Sequence, residues 1–285
     1  MPFSGEPALR AKSEGMALIA VLWIVAALSI MISGVQTSVR SEIRIVGAGR
    51  QALEAVALGE AAMYMALQDL AASKERSARR VARDYSYAGR GMQVEVIPLN
   101  GLIDLNKAPQ DLLAALYEQA GPMPSPQAAA LADDTVQYRS QRDTQGREVG
   151  FESVQDLLSV PGVDYNLYAR LSALVTADLQ GNGSVNPLAA PLRVLSVLAG
   201  GSISRAAAIF DRQGAAAGPA DIDTTGLNVQ WVGFSATTRY RVQVHVPTLD
   251  GGTVLVVRHV DTRPDRFTGM PWRVFNAEHW MVAPQ

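Results

Sequence analysis

The chain has 285 residues, 48% of them apolar and 18% charged, which is enough for one large domain or two modest ones and excludes a chain that is disordered throughout. Its 25 basic and 27 acidic side chains leave a formal net charge of −2, so no global field points to nucleic acid or to an acidic membrane surface, and any basic site must be local. With no cysteine at all, disulfides, thiolate metal sites and cysteine nucleophiles are excluded, while the compartment has to be read from elsewhere.

The first element is an uncharged run over residues 16–35, starting abruptly after Ser13, Glu14 and Gly15 and containing only Ser29 and Ser33 as hydroxyls. As a helix it extends roughly 30 Å, the thickness of a hydrocarbon core, and it lacks the polar stripe of a soluble helix. The run is longer than the apolar stretch of a secretory signal. A helical pattern also continues beyond it, through Val35, Val39, Ile43, Val46, Leu53, Val56, Met63, Leu67 and Leu70. Cleavage at the far end of the run would therefore cut a continuing helix. Arg10 and Lys12 before the run are balanced by Arg40, Arg44 and Arg50 after it, so loop charge does not orient the span.

Next comes "SKERSARRVARDYSYAGRG", rich in arginine with two tyrosines; it reads either as solvated charge after a helix or as a grip on nucleic acid. The period then changes to two. "MQVEVIPLNGLIDLN" alternates apolar and polar residues around Asn100-Gly101, a hairpin signal, and predicts antiparallel strands. "RYRVQVHV", "LDGG" and "TVLVVRHV" repeat the style nearer the C-terminus, with Tyr240, Val242, Val244 and Val246 on one face. An apolar sheet face of this kind packs on a long helix.

Residues 107–220 between the strand regions read as helical. Two stretches there are related, "DLNKAPQDLLAAL" and "NPLAAPLRVLSVL", matching at Asp104/Asn186, Ala108/Ala190, Pro109/Pro191, Leu113/Leu195 and Leu116/Leu198. Each places proline at the start of a helix. A third, "FESVQDLLSVPGVDYNLYARLSALV", reads as helix, Pro161-Gly162 turn, helix. It is similar to a DNA-binding helix-hairpin-helix, but Asp164 stands where a second glycine would let a phosphate approach and only Arg170 is near.

The leader ending in Gly15, the apolar run starting at Met16 and the unbroken helix after it resemble the N-terminus of type IV pilins and type II secretion pseudopilins. That resemblance implies cleavage by prepilin peptidase between Gly15 and Met16 and methylation of Met16. Most pilins carry glutamate at the fifth mature position, which is Ala20 here; that glutamate pairs with the N-terminal amine of a neighbouring subunit, and a subunit with no neighbour above it needs none to offer. "GMALIAVLWIV" is similar to the K component of type II secretion. The entry residues Asp104, Asn106, Ala108 and Pro109, with Phe151, Ser153, Leu157 and Gly162, fit that family's helical insert.

The resemblance implies an α+β fold: a long N-terminal helix on an antiparallel sheet, with a large helical domain inserted between strands. Its parts would be a leader (1–15), a transmembrane half-helix (16–35), an amphipathic half (36–73), a sheet region (74–106 and 221–285) and the insert (107–220). It further implies a non-enzymatic minor pseudopilin at a pseudopilus tip, in the bacterial inner membrane with its globular part in the periplasm. Expected partners are the I- and J-type minor pseudopilins, the major pseudopilin, prepilin peptidase, and the secreted proteins or outer-membrane channel, with no nucleic acid. The family's acid-rich calcium loop corresponds to "LADDTVQYRSQRDTQGREVG", where Asp133, Asp134 and Asp143 are calcium candidates among several arginines. His245, His259 and His279 have no metal-ligand spacing, and there is no Gly-x-Ser-x-Gly elbow. A membrane-tethered DNA-binding protein of the competence type is the rival reading.

Overall fold

The computed structural model describes residues 11–72, 78–179, 181–214, 216, 218–249, 251–265 and 268–282, with side chains in the first helix described at 18–29, 31, 47 and from 49 onward, and in the last strand to 279. Contacts divide the chain into two units, Met1–Glu54 and Ala55–Gln285. Helix α1, Ala11–Ala72, supplies the described part of the first unit. Leu18, Ile19, Val21, Leu22, Trp23, Ile24, Val25, Leu28 and Met31 are all exposed there. Among the described residues no helix is long and apolar enough to cross a membrane; within 16–35 the side chains at 16, 17, 30 and 32–35 lie outside those described. Ser29 donates back to the carbonyl of Val25 (2.8 Å), so its hydroxyl needs no outside partner.

The second unit has two cores. The first lies between the end of α1 and a sheet of five antiparallel strands, β1 (Val81–Tyr87), β2 (Arg90–Pro98), β5 (Arg239–Pro247), β6 (Thr253–Asp261) and β7 (Arg273–Val282), in the order β1-β2-β5-β6-β7. Strand periodicity places Met92, Val94 and Val96, then Tyr240, Val242, Val244 and Val246, then Val254, Val256 and Val260 on the helix side. The helix meets them with Ala55, Leu58, Ala62, Met63, Ala66 and Leu67, at the three-and-four spacing of one helical face. Burial of Met63 and Leu67 contributes roughly 1.5–3 kcal/mol each. Small residues set the approach: a Cβ on Gly59 would come within 2.7 Å of Val256 Cγ2. Leu53, expected on the buried stripe, is exposed instead; the helix residues buried against the sheet begin at Ala55. Arg258, on the same side, reaches Glu60 of α1 (2.7 Å).

Two features of the sheet were not legible from periodicity. The arginine- and tyrosine-rich stretch forms edge strand β1, joined to β2 by Ala88-Gly89, both at positive φ (51° and 75°) as a tight twisted hairpin requires. In β7 the register slips between His259 and Val260, which face Asn276 and Val274. Phe275 is thus the extra residue of a bulge, and its ring packs on the second core rather than continuing the ladder.

The second core belongs to an excursion between β2 and β5, residues 99–238. Its elements are β3 (Ile103–Asp104), α2 (Gln110–Gln119), α3 (Ser125–Arg139), α4 (Tyr165–Leu171), β4 (Val175–Thr176), α5 (Leu192–Leu198) and α6 (Ile203–Gln213). The related stretches are one device used twice. Asp104 Oδ1 accepts from the amide of Asn106 (2.9 Å) and Asn186 Oδ1 from that of Leu188 (3.0 Å). The Asp104 carbonyl accepts from Lys107 and Ala108, and that of Asn186 from Ala189 and Ala190. These side-chain turns lead into α2 and α5 immediately after Pro109 and Pro191. The last residue of each following helix then reaches back: Arg139 donates to the carbonyls of Leu105 and Ala108 (3.0 and 2.8 Å), and Gln213 to those of Pro187 and Ala190 (2.6 and 2.8 Å). Even the preceding residues correspond, since Ile103 pairs in parallel with Val175 and Val185 with Val232. The insert contains two helical hairpins, α2–α3 and α5–α6, each opened by an Asx turn and closed by a side chain capping it.

The stretch 154–171 follows its expected outline with a shorter first helix: a 3-10 turn over Val154–Ser159, Gly162 at φ 90°, then α4. The second core also takes in Leu99, Leu102 and Leu105 before residue 107 and Leu227 after residue 220. Asn100-Gly101 is not a hairpin turn. It lies in the 3-10 turn Leu99–Gly101, and β3 pairs in parallel with β4 instead of returning along β2. The Asn100 carbonyl accepts from Asn186 (2.7 Å), and a Cβ on Gly101 would lie 2.5 Å from the Ala189 carbonyl carbon and oxygen. The pair is selected for close docking of the two repeats. Gly101→Ala should therefore lower unfolding stability by roughly 1–3 kcal/mol, whereas Gly91→Ala, with nothing within 4 Å of its Cβ position, should stay within about 0.5 kcal/mol in the same denaturant titration.

Candidate functional site

The insert is fastened to the side of the sheet opposite α1. Odd-numbered residues of β5 and β6 point there, and at the end nearest the crossings they are charged: Arg239, Arg241, His259 and Asp261, all buried. Arg241 donates to the carbonyls of Ala173 (3.1 Å) and Val175 (3.3 Å) around β4, and its Nε to His259 Nε2 (3.0 Å). His259 Nδ1 lies 2.8 Å from Asp178 Oδ2. Arg239 donates to the Asp178 carbonyl and pairs with Asp261 (3.4 Å). Phe275, delivered by the bulge, lies beneath the Arg239 guanidinium (5.0 Å to the ring centre). Arginine suits this work because its planar fork can serve several carbonyls at once. Burial pulls the Arg241 pKa down to about 10, against the opposing charges of Glu278 and Asp178. It remains a cation at neutral pH.

The basic stretch is spent in a similar way. Arg79 donates to the Ala216 carbonyl (2.8 Å), Arg80 pairs with Glu95 (2.7 Å) and sits over the Phe210 ring, and Arg83 pairs with Asp69 (3.2 Å). Lys74 and Arg76 lie outside the described residues. In the hairpin-like segment the amide of Leu167, at the start of α4, donates to Asp164 Oδ1 (2.7 Å). A phosphate there would have to displace a fixed carboxylate. These arrangements give the DNA-binding reading no geometric support.

Gly15 and Met16 lie within α1, their side chains outside those described, and Ala20 is exposed on the same helix. Asp133, on α3, accepts from Gln137 (3.0 Å). Asp143 accepts the amides of Gln145 and Arg147 and pairs with the Arg147 side chain (3.0 Å). The Arg147 amide is the largest influence holding its carboxyl below the usual range. Among the described residues no group of three or more histidine, cysteine, aspartate or glutamate side chains is placed to hold a metal. Asp134 lies beside Asp133 on α3, and Asp143 lies beyond the end of that helix.

For catalysis the offering is similarly thin among the described residues. His245 faces Leu255 and His279 faces Val256 across the sheet, while His259 faces Arg241. Asp104 is buried, and burial raises its pKa against the amides of Asn106 and Gly181, but it closes an Asx turn. A cleft of about 210 Å³ between the crossings is lined by Asn100, Ser184, Ser235, Thr237 and Arg263. One of about 480 Å³ beside β1 is lined by Arg79, Arg80, Phe210 and Asp211. Neither holds a histidine, and neither pairs a nucleophile with a base.

What remains for recognition is surface. Strands β1 and β7 are the edges of the sheet, and an edge offers unpaired backbone groups to an incoming strand. Edge β1 carries Arg83 and Asp84; β7, the longer of the two, carries Arg273 and Glu278 beside the exposed Val274 and Ala277.

No protein-family model matches this sequence, and no curated protein does. Among solved structures, a chain of the crystal structure of the GspK-GspI-GspJ complex from the enterotoxigenic Escherichia coli type 2 secretion system matches with a TM-score of 0.53 at 16% identity, covering 83% of this chain and 99% of that one. The two chains share a fold. The similarity takes in most of this chain and nearly all of the other, so it is not a likeness of sheet or helices taken separately. The α+β class, with helices inserted into an antiparallel sheet, is therefore the fold of this protein.

The junction also makes a stability prediction. Burial opposes ionisation of Asp261, but hydrogen bonds from the Arg263 side chain and amide, from Thr238, and the Arg263 charge outweigh it and hold its pKa at about 2. A carboxyl held below its unfolded value adds stability that is complete above about pH 4–5 and is lost as pH falls toward 2. Asp261→Asn, which leaves Arg239 buried without its counter-charge, should cost about 3 kcal/mol at pH 7. The gap between variant and parent in unfolding experiments should narrow below about pH 4.

Proposed function

We propose that this chain is a minor pseudopilin of the K type in a type II secretion system. The observation that carries the reading is the insertion of residues 99–238 between adjacent strands β2 and β5 of a helix-backed antiparallel sheet, in a fold shared over 83% of the chain with a member of the GspK-GspI-GspJ complex. The N-terminal residues support it independently, with Gly15 directly before an apolar run and alanine at position 20.

On this reading the work is mechanical. Prepilin peptidase cuts between Gly15 and Met16, Met16 is methylated, and the apolar half-helix holds the protein in the inner membrane with the head in the periplasm. Ala20 offers no carboxylate to a neighbour's amine, which suits a subunit with nothing above it. The wide helical insert suits a cap. The protein would start pseudopilus assembly with I- and J-type minor pseudopilins, contact the major pseudopilin below, and meet secreted proteins or the outer-membrane channel above.

Co-expression of the full chain with the I- and J-type subunits of the same cell tests this. A complex of all three, stable through size-exclusion chromatography in detergent, is the expected result. A chain that elutes alone while the other two pair would sink the proposal. Retention of duplex DNA at low salt, falling steeply as salt rises, would favour the competence-type rival instead.

A further inference from the structure

His259 occupies the middle rung of three strands, facing Arg241 on β5 and Asn276 on β7, and its side chain is only 4% exposed. Its two ring nitrogens are committed to opposite partners. A guanidinium can only donate, so the 3.0 Å bond from Arg241 Nε requires a lone pair on His259 Nε2. The single ring proton then sits on Nδ1 and is donated to Asp178 Oδ2 at 2.8 Å. Phe275 closes over the ring at 5.9 Å. The sheet's cation and the insert's anion are thus joined through one neutral imidazole, and the same Arg241 holds the carbonyls of Ala173, just before β4, and of Val175, within it.

A second proton would change this arrangement in one direction. It would occupy Nε2, abolish the bond from Arg241 and set two cations side by side where water does not reach. The charges facing the ring are mixed. Asp178, following β4, favours the added proton. Arg241 and Arg239 on β5 oppose it, with Arg239 partly neutralised by Asp261, which also holds Arg263. Glu278 on β7 lies close enough to Arg241 to support its charge, and also accepts from Asn276. Asp178 would keep its grip on the imidazolium, so the weakened contact is the one from His259 to Arg241 and, through Arg241, to the carbonyls of Ala173 and Val175.

We propose that Arg241, His259 and Asp178 form an acid-sensitive latch that holds the helical insert on the sheet when His259 is neutral and loosens it when His259 takes a second proton. The latch lies wholly within residues 55–285 and does not depend on the secretion reading.

Hydrogen–deuterium exchange on the full-length chain in detergent micelles, at about pH 7.5 and 5.0 with the intrinsic pH effect on exchange removed, tests it across the range in which histidines change charge. In the parent, amides of 173–179 and 239–243 should lose protection by about tenfold or more at the lower pH, the factor expected for losing one hydrogen bond to a charged group. Protection in β2 should change less. His259→Gln can accept from Arg241 through Oε1 and donate to Asp178 through Nε2 without titrating, so its protection should be the same at both pH values. Unchanged protection in the parent, or an equal loss in His259→Gln, would overturn the proposal. Should the variant not fold, nitrogen-15 spectra of the parent's imidazole decide instead: the Nδ1–H tautomer at pH 7.5 is expected, and the Nε2–H tautomer would refute the latch.

Discussion

A five-stranded antiparallel sheet has two faces, and covering both is the constraint on which the rest of this molecule depends. Helix α1 covers one through a close, small-residue contact in which Gly59 nearly touches Val256. The other face is covered, toward the ends of β5 and β6 nearest the crossings, by the excursion that leaves after Pro98 and returns at Arg239. That contact is polar where the first is apolar. Arginines from the sheet reach carbonyls of the insert, and each buried cation has an aspartate or a carbonyl to satisfy it. Apolar packing alone would hold the two layers together without fixing their register, whereas hydrogen bonds from a planar guanidinium are directional.

The insert has an internal logic of its own. Two helical hairpins begin with the same Asx turn and proline, and end with a side chain that caps the turn from which they started. In the first unit the cap is Arg139 and in the second Gln213, so the chemistry differs while the acceptors correspond. The chain solves the problem of entering a buried helix twice by one route, using a side-chain carboxylate or amide to satisfy backbone groups that a buried turn would strand.

Much of this was legible in the sequence because it depends on periodicity or local turn chemistry. The alternation at Tyr240, Val242, Val244 and Val246 gave the helix-facing side of β5, and Asp104 and Asn186 with their prolines gave the repeat. Other features depend on contacts distant in sequence. Asn100-Gly101 has the residues of a hairpin, but its glycine is needed for the backbone of Ala189, far along the chain. Leu53 fits the apolar stripe of α1, yet it is exposed, and the helix residues buried against the sheet begin at Ala55. The arginines of 79–83 look like solvated charge until the strand they begin brings them to Ala216, Glu95 and Asp69. His259 gave no signal at all, since its partners Asp178 and Arg241 are joined to it only by the docking of the insert.

On the proposed reading, the two ends of the chain divide the labour: residues 16–35 hold the protein in a membrane, and the sheet with its insert presents a broad head to partners. The claim that joins them is that Gly15 marks a processing site in front of the apolar run. Intact-mass and N-terminal analysis of the protein taken from its native membrane addresses this directly. The account predicts a chain that begins at Met16 and carries one N-methyl group. A chain that retains Met1, or one that begins near residue 36, would contradict it.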